Sequence, residues 1–329
     1  MAHTVAVTGG SGMVGTELIS QLLAKGYNVR ATVRNKNDNE KVEPLINLGN
    51  ALPGTLKLYD ADLMQSGSFD DAFRGVRYIF HTASPFFIEG GHAELVEPAV
   101  EGTRNVMLSA AKALSSTGDL KRVILTSSVA AVKGMKDPQP PKNDKSVYSE
   151  EDFNETSTVD NGEAYWASKV QAEKLAWNLA KQHNIDLVTI LPEFILGPLI
   201  SSRTDGTSVG YMKKWIESRD AIDPGYPFFA DLRDVAKAHI LAAEVPEASG
   251  RYIVCYETSP PPQNIVKWLR ERFPEFDFPT PKNYEPKGPA VDNSKVQKEL
   301  GLALTPVKSM IIDMAVTMIA LGLANPKKK

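Results

Sequence analysis

Short β-branched segments alternate with longer segments of helical periodicity through the first half of the chain. This order is typical of βαβ units, which build a parallel sheet covered by helices. Val14, Leu18 and Leu22 recur every fourth residue, so one face of a helix over about Met13–Lys25 packs on the sheet, and Gly26 ends that helix. A second helix is predicted over Ala164–Gln182, and strands are predicted at Thr4–Thr8, Asn28–Val33, Leu56–Tyr59, Tyr78–His81, Arg122–Thr126 and Asp186–Leu191.

The pattern changes after Pro192, where segments rich in Gly and Pro separate short elements. Arg251–Cys255 is a candidate for a strand that returns to the sheet, and Gly134–Thr158 has the composition of a surface excursion. We therefore expect an α/β fold, with a doubly wound parallel Rossmann sheet and a smaller α+β substrate domain. The Rossmann domain is predicted at 1–196 with returning segments at about 228–256, and the substrate domain at 197–227 and 257–329.

Composition excludes several classes of protein. Hydrophobic residues make up 42% of the 329 residues and charged residues 23%, which excludes disordered, collagen-like and coiled-coil chains. The 37 basic and 40 acidic residues lack the basic excess of a nucleic-acid binder. The single cysteine, Cys255, cannot form an internal disulfide, which fits a reducing compartment. The five histidines show no H-x-x-x-H spacing, so we expect no metal site.

The two ends of the chain suggest no membrane association. The N-terminal residues lack the charged and long apolar regions of a signal peptide, and we expect a cytoplasmic protein. The longest apolar stretch, Met310–Ala324, is interrupted by Asp313 and Thr317 and is shorter than the roughly 20 residues of a membrane span. We expect a terminal helix packed on the protein there, followed by a solvated tail at Lys327–Lys329.

A glycine-rich turn follows the first predicted strand and precedes the first helix. Its sequence, G-G-S-G-M-V-G over Gly9–Gly15, fits the pattern G-x-x-G-x-x-G. Such glycines permit a tight turn, close approach to a pyrophosphate and close packing of helix on strand, and the helix N-terminus offers unpaired N–H groups. A plain turn is the alternative, but this context predicts a dinucleotide site formed by Gly9, Ser11, Gly12, Met13, Val14 and Gly15.

The end of the second strand bears on the choice of cofactor. An NAD-selective site usually carries Asp or Glu there, whereas this chain has Arg34 and no acid until Asp38. A guanidinium pairs well with a 2′-phosphate, so Arg34 favours NADPH/NADP+, and Lys41 could add a second positive charge. The alternative is that both side chains are solvated surface cations.

Tyr165 and Lys169 are four residues apart, which places both on one helix face. An adjacent ammonium favours the phenolate and lowers the pKa of a phenol, as acid–base catalysis near neutral pH requires. This spacing is common by chance. Its significance rises because Thr126-Ser127-Ser128 ends the preceding strand, at the sheet edge where ligands bind, and a hydroxyl there can donate to a carbonyl oxygen.

Taken together, these motifs make the chain similar to the extended short-chain dehydrogenase/reductase family. Within that family it most resembles the group of dihydroflavonol reductases, cinnamoyl-CoA reductases and yeast-type methylglyoxal (carbonyl) reductases. The likeness covers nearly the whole chain and is carried by Thr8–Gly15, Val29–Arg34, Asp60–Leu63, Phe80–Pro85, Thr126–Ser128, Tyr165–Lys169, Gly197-Pro198 and Asp231–His239.

The resemblance implies a role for each matching residue. Tyr165 is the expected general acid, Lys169 the residue that holds the nicotinamide ribose, and Ser128 the group that polarises the carbonyl, with Ser127 as the alternative. Asn105 lies on a helix where related enzymes sometimes place a structural or relay asparagine. The implied cofactor contacts also include Asp62 and Leu63 at the adenine, Thr82, Ala83 and Ser84 at the ribose, and Pro192 and Ile195 at the nicotinamide.

Departures from the family pattern limit the choice of substrate. Glu163 and Ala164 precede Tyr165 where cinnamoyl-CoA reductases carry Asn-Trp, which argues against a CoA thioester. Lys133 stands where dihydroflavonol reductases place a substrate-binding asparagine, which weakens a flavonoid assignment. Glu193 is an unusual residue at a position where small or amide side chains are common.

We therefore expect an NADPH-dependent oxidoreductase that reversibly reduces a small aldehyde or ketone to the alcohol and acts as a monomer or homodimer. The expected substrate pocket contains Phe86, Phe87, Ser128 and Tyr211, with the segment up to Trp215. One alternative is an NAD-dependent nucleotide-sugar epimerase or dehydratase that keeps its cofactor bound. The other is a non-catalytic NADP-sensing protein, a class that commonly lacks the Tyr–Lys pair.

Overall fold

A computed structural model describes residues 3–84, 91–136, 138–142, 147–202, 206–217, 228–258, 260–281 and 290–329. The strands are Thr4–Thr8 (β1), Asn28–Val33 (β2), Thr55–Asp60 (β3), Tyr78–His81 (β4), Arg122–Thr126 (β5), Leu187–Pro192 (β6), Phe194–Leu196 (β7), Phe229–Asp231 (β8), Gly250–Val254 (β9), Phe276–Asp277 (β10) and Lys327–Lys328 (β11). The α-helices are Met13–Ala24 (α1), Asn39–Ala51 (α2), Asp70–Phe73 (α3), Glu97–Thr117 (α4), Ala164–His183 (α5), Thr207–Glu217 (α6), Leu232–Glu244 (α7), Pro262–Arg272 (α8), Ser294–Leu300 (α9) and Val307–Ala320 (α10).

Seven parallel strands form the central sheet, in the order β3-β2-β1-β4-β5-β6-β9. The order reverses between β1 and β4, and the crevice outside the strand ends at such a point is where doubly wound sheets bind ligands. The predicted Rossmann fold is confirmed. The two predicted helices are also present, each ending within one residue of its expected end.

Helices cover both faces of the sheet. Because the side chains of a strand alternate between the faces, one strand contributes to the cores on both sides. In β1, Val5 and Val7 join the core on the side of α1 and α7, whereas Ala6 joins the core on the side of α4 and α5. All three side chains are fully buried. This double burial explains why β1 has three consecutive apolar residues.

A second hydrophobic core lies in the part of the chain after the sixth strand. The short parallel pair of β7 and β8 packs there with α6, α8 and α10. Phe194 already belongs to this core, two residues before the expected domain boundary at 196, and the division into domains stays a prediction. The predicted terminal helix is α10, which buries Met310, Met314 and Met318. None of the helices in the described ranges is both long enough and apolar enough to span a membrane.

Two segments are more ordered than their composition indicates. Lys327–Lys328 pairs antiparallel with Phe276–Asp277, so the lysine tail is an exposed strand rather than only a solvated end. The described parts of Gly134–Thr158 are anchored by buried polar residues rather than lying freely on the surface. The Asp152 carboxylate, for example, accepts hydrogen bonds from the backbone N–H groups of Lys142 and Ser149.

A buried ion pair links the sheet to the long helix α5. Arg251 of β9 and Glu173 of α5 lie 2.7 Å apart, and their side chains are 6% and 0% exposed. Glu173 also accepts hydrogen bonds from Ser127, Thr189 and Trp177. Neither charge faces water, so each depends on the other for compensation.

Removing one member of this pair tests its importance. We expect Glu173→Ala to lower the free energy of unfolding by about 3 to 5 kcal/mol, because it leaves the Arg251 charge buried without a partner. The matched control is Asp71→Ala, which breaks the exposed pair with Arg74 and costs less than about 1 kcal/mol. Urea denaturation of both variants measures the difference, and equal losses would contradict the argument.

Candidate active site

A cleft of about 660 Å³ opens at the carboxyl ends of the central strands. It is bounded by the β1–α1 turn, the ends of β2 to β6, and residues that precede and begin α6. Most of the site residues predicted from the sequence line it, namely Gly9, Ser11, Gly12, Met13, Val14, Gly15, Arg34, Asp62, Leu63, Thr82, Ala83, Ser84, Ser127, Ser128, Tyr165, Lys169, Pro192 and Ile195.

The glycine-rich turn has two positions at which a side chain would not fit. Gly9 has a φ of 67°, and a Cβ atom there would lie 2.8 Å from the Cα of Ala83. A Cβ atom on Gly15 would collide with the carbonyl oxygen of Gly9. The two glycines therefore let α1 start directly against the strand end, which keeps its N-terminus beside the cleft.

The N-terminus of α1 is shaped to bind an anion. No side chain caps it, and its first helical residues, Met13 and Val14, line the cleft. The N–H groups of a first helical turn have no partner inside the helix, and the helix dipole adds partial positive charge there. This backbone fits the pyrophosphate of a dinucleotide.

The cations after β2 have different surroundings. Lys36 pairs with Asp60 at 3.2 Å, and Lys41 pairs with Asp38 at 2.8 Å. Arg34 lines the cleft and makes no ion pair with any residue that the structure describes. Arg34 is thus placed to meet a phosphate, whereas Lys41 lies outside the cleft lining and its predicted cofactor contact stays a prediction.

A turn after β3 borders one end of the cleft. The carboxylate of Asp62 accepts the N–H of Met64 at 2.8 Å, and the carbonyl of Leu63 accepts a hydrogen bond from Asn105 on α4, also at 2.8 Å. Asn105 therefore holds this turn in place.

The segment after β4 connects the glycine turn to α5. Thr82 donates to the carbonyl of Thr8, whose own hydroxyl accepts the N–H of Ala83 at 3.1 Å. Ser84 then accepts a hydrogen bond from the Lys169 ammonium at 2.9 Å. These contacts run in one line from β1 to α5 along the floor of the cleft.

Tyr165 and Lys169 lie one helical turn apart, as their spacing predicts. The Lys169 Nζ atom is 5.4 Å from the centre of the Tyr165 ring, and both residues line the cleft. Burial lowers the pKa of Lys169 to about 8, because removal from water disfavours the charged form. The Lys169 ammonium beside the phenol therefore loses its proton at a lower pH than an exposed lysine does.

The two serines at the end of β5 are distinguished by their hydrogen bonds. Ser127 donates its hydroxyl hydrogen to the buried Glu173 at 2.7 Å. Ser128 instead accepts the N–H of Ala130 at 3.1 Å, which leaves its hydroxyl hydrogen available to an oxygen in the cleft. The geometry thus favours Ser128 as the donor to a ligand.

Two buried histidines lie behind the strand ends. The Nδ1 atom of His239 lies 2.7 Å from the Val235 carbonyl, so this nitrogen carries hydrogen and Nε2 accepts from Thr126. Burial lowers the pKa of His239 to about 4 and, together with the Lys169 charge, that of His81 to about 3. Both are neutral supports of the strand ends.

Two acids lie near the site: Glu173, which sequence reasoning missed, and Glu193, whose role it left open. Glu173 follows Tyr165 and Lys169 at the same interval of four, so it shares their helix face, and this spacing was a usable signal. Glu193 lines the cleft immediately after Pro192 and is partly exposed to it.

The predicted substrate residues are only partly described. Phe86 and Phe87 lie outside the described residues. The Tyr211 ring packs edge-on against Phe194 of the second core, at 5.5 Å between ring centres. Tyr211 is not part of the cleft lining, so a substrate contact for it stays a prediction.

Comparisons with known proteins identify similar reductases. A cinnamoyl-CoA reductase (CAD2) of Medicago truncatula is 38% identical over 317 residues, which cover 94% of each chain. A dihydroflavonol 4-reductase of Dianthus caryophyllus is 36% identical over 308 residues, covering 91% of this chain and 82% of that protein. The structure of yeast methylglyoxal/isovaleraldehyde reductase Gre2 complexed with NADPH matches with a TM-score of 0.80 at 28% identity, covering 98% of this chain and 100% of that chain.

The family description that matches the sequence spans residues 5–255, which is more than half of the chain. It covers the glycine-rich turn, the serines after β5, the Tyr165–Lys169 pair and the last strand of the central sheet. The chain therefore belongs to the NAD dependent epimerase/dehydratase family, within the extended short-chain dehydrogenases/reductases.

Proposed function

We propose that the protein is an NADPH-dependent carbonyl reductase that converts small aldehydes or ketones to alcohols and also catalyses the reverse reaction. One observation carries this proposal: the Ser128 hydroxyl, the Tyr165 phenol and the Lys169 ammonium line the same cleft beside an anion-binding glycine turn. The reductases among its relatives support the assignment.

The residues of the cleft fit the cofactor. The N-terminus of α1 would hold the pyrophosphate, the turn at Asp62–Leu63 the adenine, and Ser84 with Lys169 the nicotinamide ribose. Arg34 would pair with the 2′-phosphate that distinguishes NADPH from NADH. When bound, NADPH supplies the hydride that the carbonyl carbon accepts.

The protein side chains handle the carbonyl oxygen. Ser128 donates a hydrogen bond to it and so stabilises the negative charge that develops as the carbonyl is reduced. Tyr165 donates its phenolic proton to the same oxygen, and the Lys169 ammonium beside it favours the phenolate that remains. Glu173 accepts the hydroxyl hydrogen of Ser127, so we assign the donor role to Ser128.

The two alternatives have less support. A nucleotide-sugar epimerase that prefers NAD is expected to carry an acid at the end of β2, where this chain has Arg34. A non-catalytic NADP sensor does not require a phenol and an ammonium together with a free serine hydroxyl.

The second core, with α6, α8 and α10, would form the substrate domain that closes the cleft.

Replacement of Tyr165 by Phe tests the proposed function. We expect Tyr165→Phe to lower kcat by about 10²- to 10⁴-fold, because the general acid is lost. NADPH binding, followed by fluorescence titration, is expected to stay near the wild-type affinity. Activity is measured as NADPH absorbance loss with methylglyoxal, aryl ketones, diketones, cinnamoyl-CoA and a dihydroflavonol. Wild-type turnover by the variant would refute the assignment.

The two serines provide a matched pair. Ser128→Ala is expected to lower kcat/KM by about 10²- to 10³-fold, as loss of an oxyanion donor does. Ser127→Ala removes the bond to Glu173 and is expected to lower the melting temperature while it lowers kcat/KM less than about tenfold. A larger loss of activity in Ser127→Ala would reverse the two assignments.

Cofactor selection depends on Arg34 in this proposal. Arg34→Ala is expected to weaken NADPH binding by about 10- to 100-fold, the range for a lost hydrogen bond to a charged group, and to leave NADH binding nearly unchanged. Lys41→Ala is the control, because Lys41 already pairs with Asp38. Titration with both cofactors measures the effect, and equal weakening for the two would contradict the role of Arg34.

A further inference from the structure

An acidic side chain lies at the reacting end of the cleft. Glu193 follows Pro192 at the carboxyl end of β6 and lines the same cleft as Ser128 and Tyr165. The N–H of Ser127 donates to the carbonyl of Ile190 at 2.8 Å, so the ends of β5 and β6 are hydrogen-bonded neighbours. Ser128 and Glu193 thus follow adjacent strand ends in the lining of one cleft, and a ligand that contacts Ser128 lies beside the strand end that carries Glu193.

Glu193 has no partner for its carboxylate within the described ranges. The other acid in the cleft lining, Asp62 in the turn after β3, accepts the N–H of Met64. The positive charge of Lys133 stabilises the ionised form of Glu193, but no ion pair between Lys133 and Glu193 is present among the described residues. The Lys133 Nζ atom lies over the Tyr148 and Phe228 rings, at 5.8 and 5.6 Å from their centres.

Glu193 has buried residues beside it. The next residue, Phe194, belongs to the second hydrophobic core, and the Cys255 thiol, which responds to the Glu193 charge, is buried. Burial raises the pKa of the Glu193 carboxyl to about 7, whereas the Lys133 charge lowers it. A polar group without a partner in such a place is stabilised by any ligand that supplies a hydrogen bond.

We propose that Glu193 is a specificity-determining residue that binds a hydroxyl group on the carbon next to the substrate carbonyl. The preferred substrates are then α-hydroxy aldehydes and α-hydroxy ketones. A hydroxyl suits this site better than an ammonium, because it donates to the ionised carboxylate and accepts from the neutral acid. The Lys133 charge, in addition, disfavours a second cation. The inference rests on the proposed function and specifies its substrate.

The test compares two aryl ketones that differ in one group. α-Hydroxyacetophenone carries a hydroxyl where propiophenone carries a methyl group. We expect the wild-type protein to prefer the hydroxy ketone in kcat/KM. Glu193→Val is expected to lower this preference about tenfold or more, mainly through the KM of the hydroxy ketone, because a hydrogen bond to a charged group is lost. Glu193→Gln keeps an acceptor and is expected to retain part of the preference.

Controls separate the possible outcomes. Glu247→Val changes an exposed acid outside the cleft lining and is expected to leave the preference at the wild-type value. An unchanged preference in Glu193→Val would overturn the proposal. Should that variant fail to fold, Glu193→Gln decides the question, because it is expected to lose part of the preference and an unchanged value there would overturn the proposal as well. A wild-type preference for propiophenone, or for α-aminoacetophenone as a third substrate with an ammonium in place of the hydroxyl, would also overturn it. Wild-type protein that binds NADPH but reduces neither these ketones nor any carbonyl compound used to test Tyr165→Phe would instead refute the proposed reductase function.

Discussion

The buried ion pair of Glu173 and Arg251 determines much of the site's geometry. Arg251 also donates to the backbone carbonyls of Glu150, Asp152 and Ala131, so one guanidinium fixes the segment after the β5 serines. Glu173 fixes α5 against β5 and β6 at the same point. Because two charges removed from water are stable only when fully paired, the arrangement tolerates little displacement. As a consequence, α5, which carries Tyr165 and Lys169, is held in register with the strand-end serines.

The central sheet explains why distant residues meet. The β1 turn, the β4 segment and the β5 serines are separated by many residues in the chain, yet parallel strands bring their carboxyl ends to one edge. Ser84 then reaches Lys169 across this edge, and Asn105 holds the turn at Leu63 from behind. The donors in these two contacts belong to helices α5 and α4, and the parallel strands set the distance between the segments that accept from them.

Much of this arrangement could be predicted from the sequence, because the signals were local. The apolar period of Val14, Leu18 and Leu22, the glycine turn and the Tyr165–Lys169 spacing each follow from neighbouring residues. The antiparallel pairing of Lys327–Lys328 depends on a strand fifty residues away, so composition could not reveal it. The partner of Glu173 and the choice between the two serines depend likewise on tertiary contacts that no local pattern encodes.

Burial acts in opposite directions on two groups of the cleft. It lowers the pKa of Lys169 to about 8 and raises the pKa of Glu193 to about 7, since in each case it disfavours the charged form. Each charge is therefore less stable in the cleft than in water. Lys169 has a partner, because its ammonium donates to Ser84 at 2.9 Å, whereas the described residues offer the Glu193 carboxylate none. A cleft that removes water to strengthen its hydrogen bonds thereby makes its charged groups dependent on the partners that the fold or a ligand supplies.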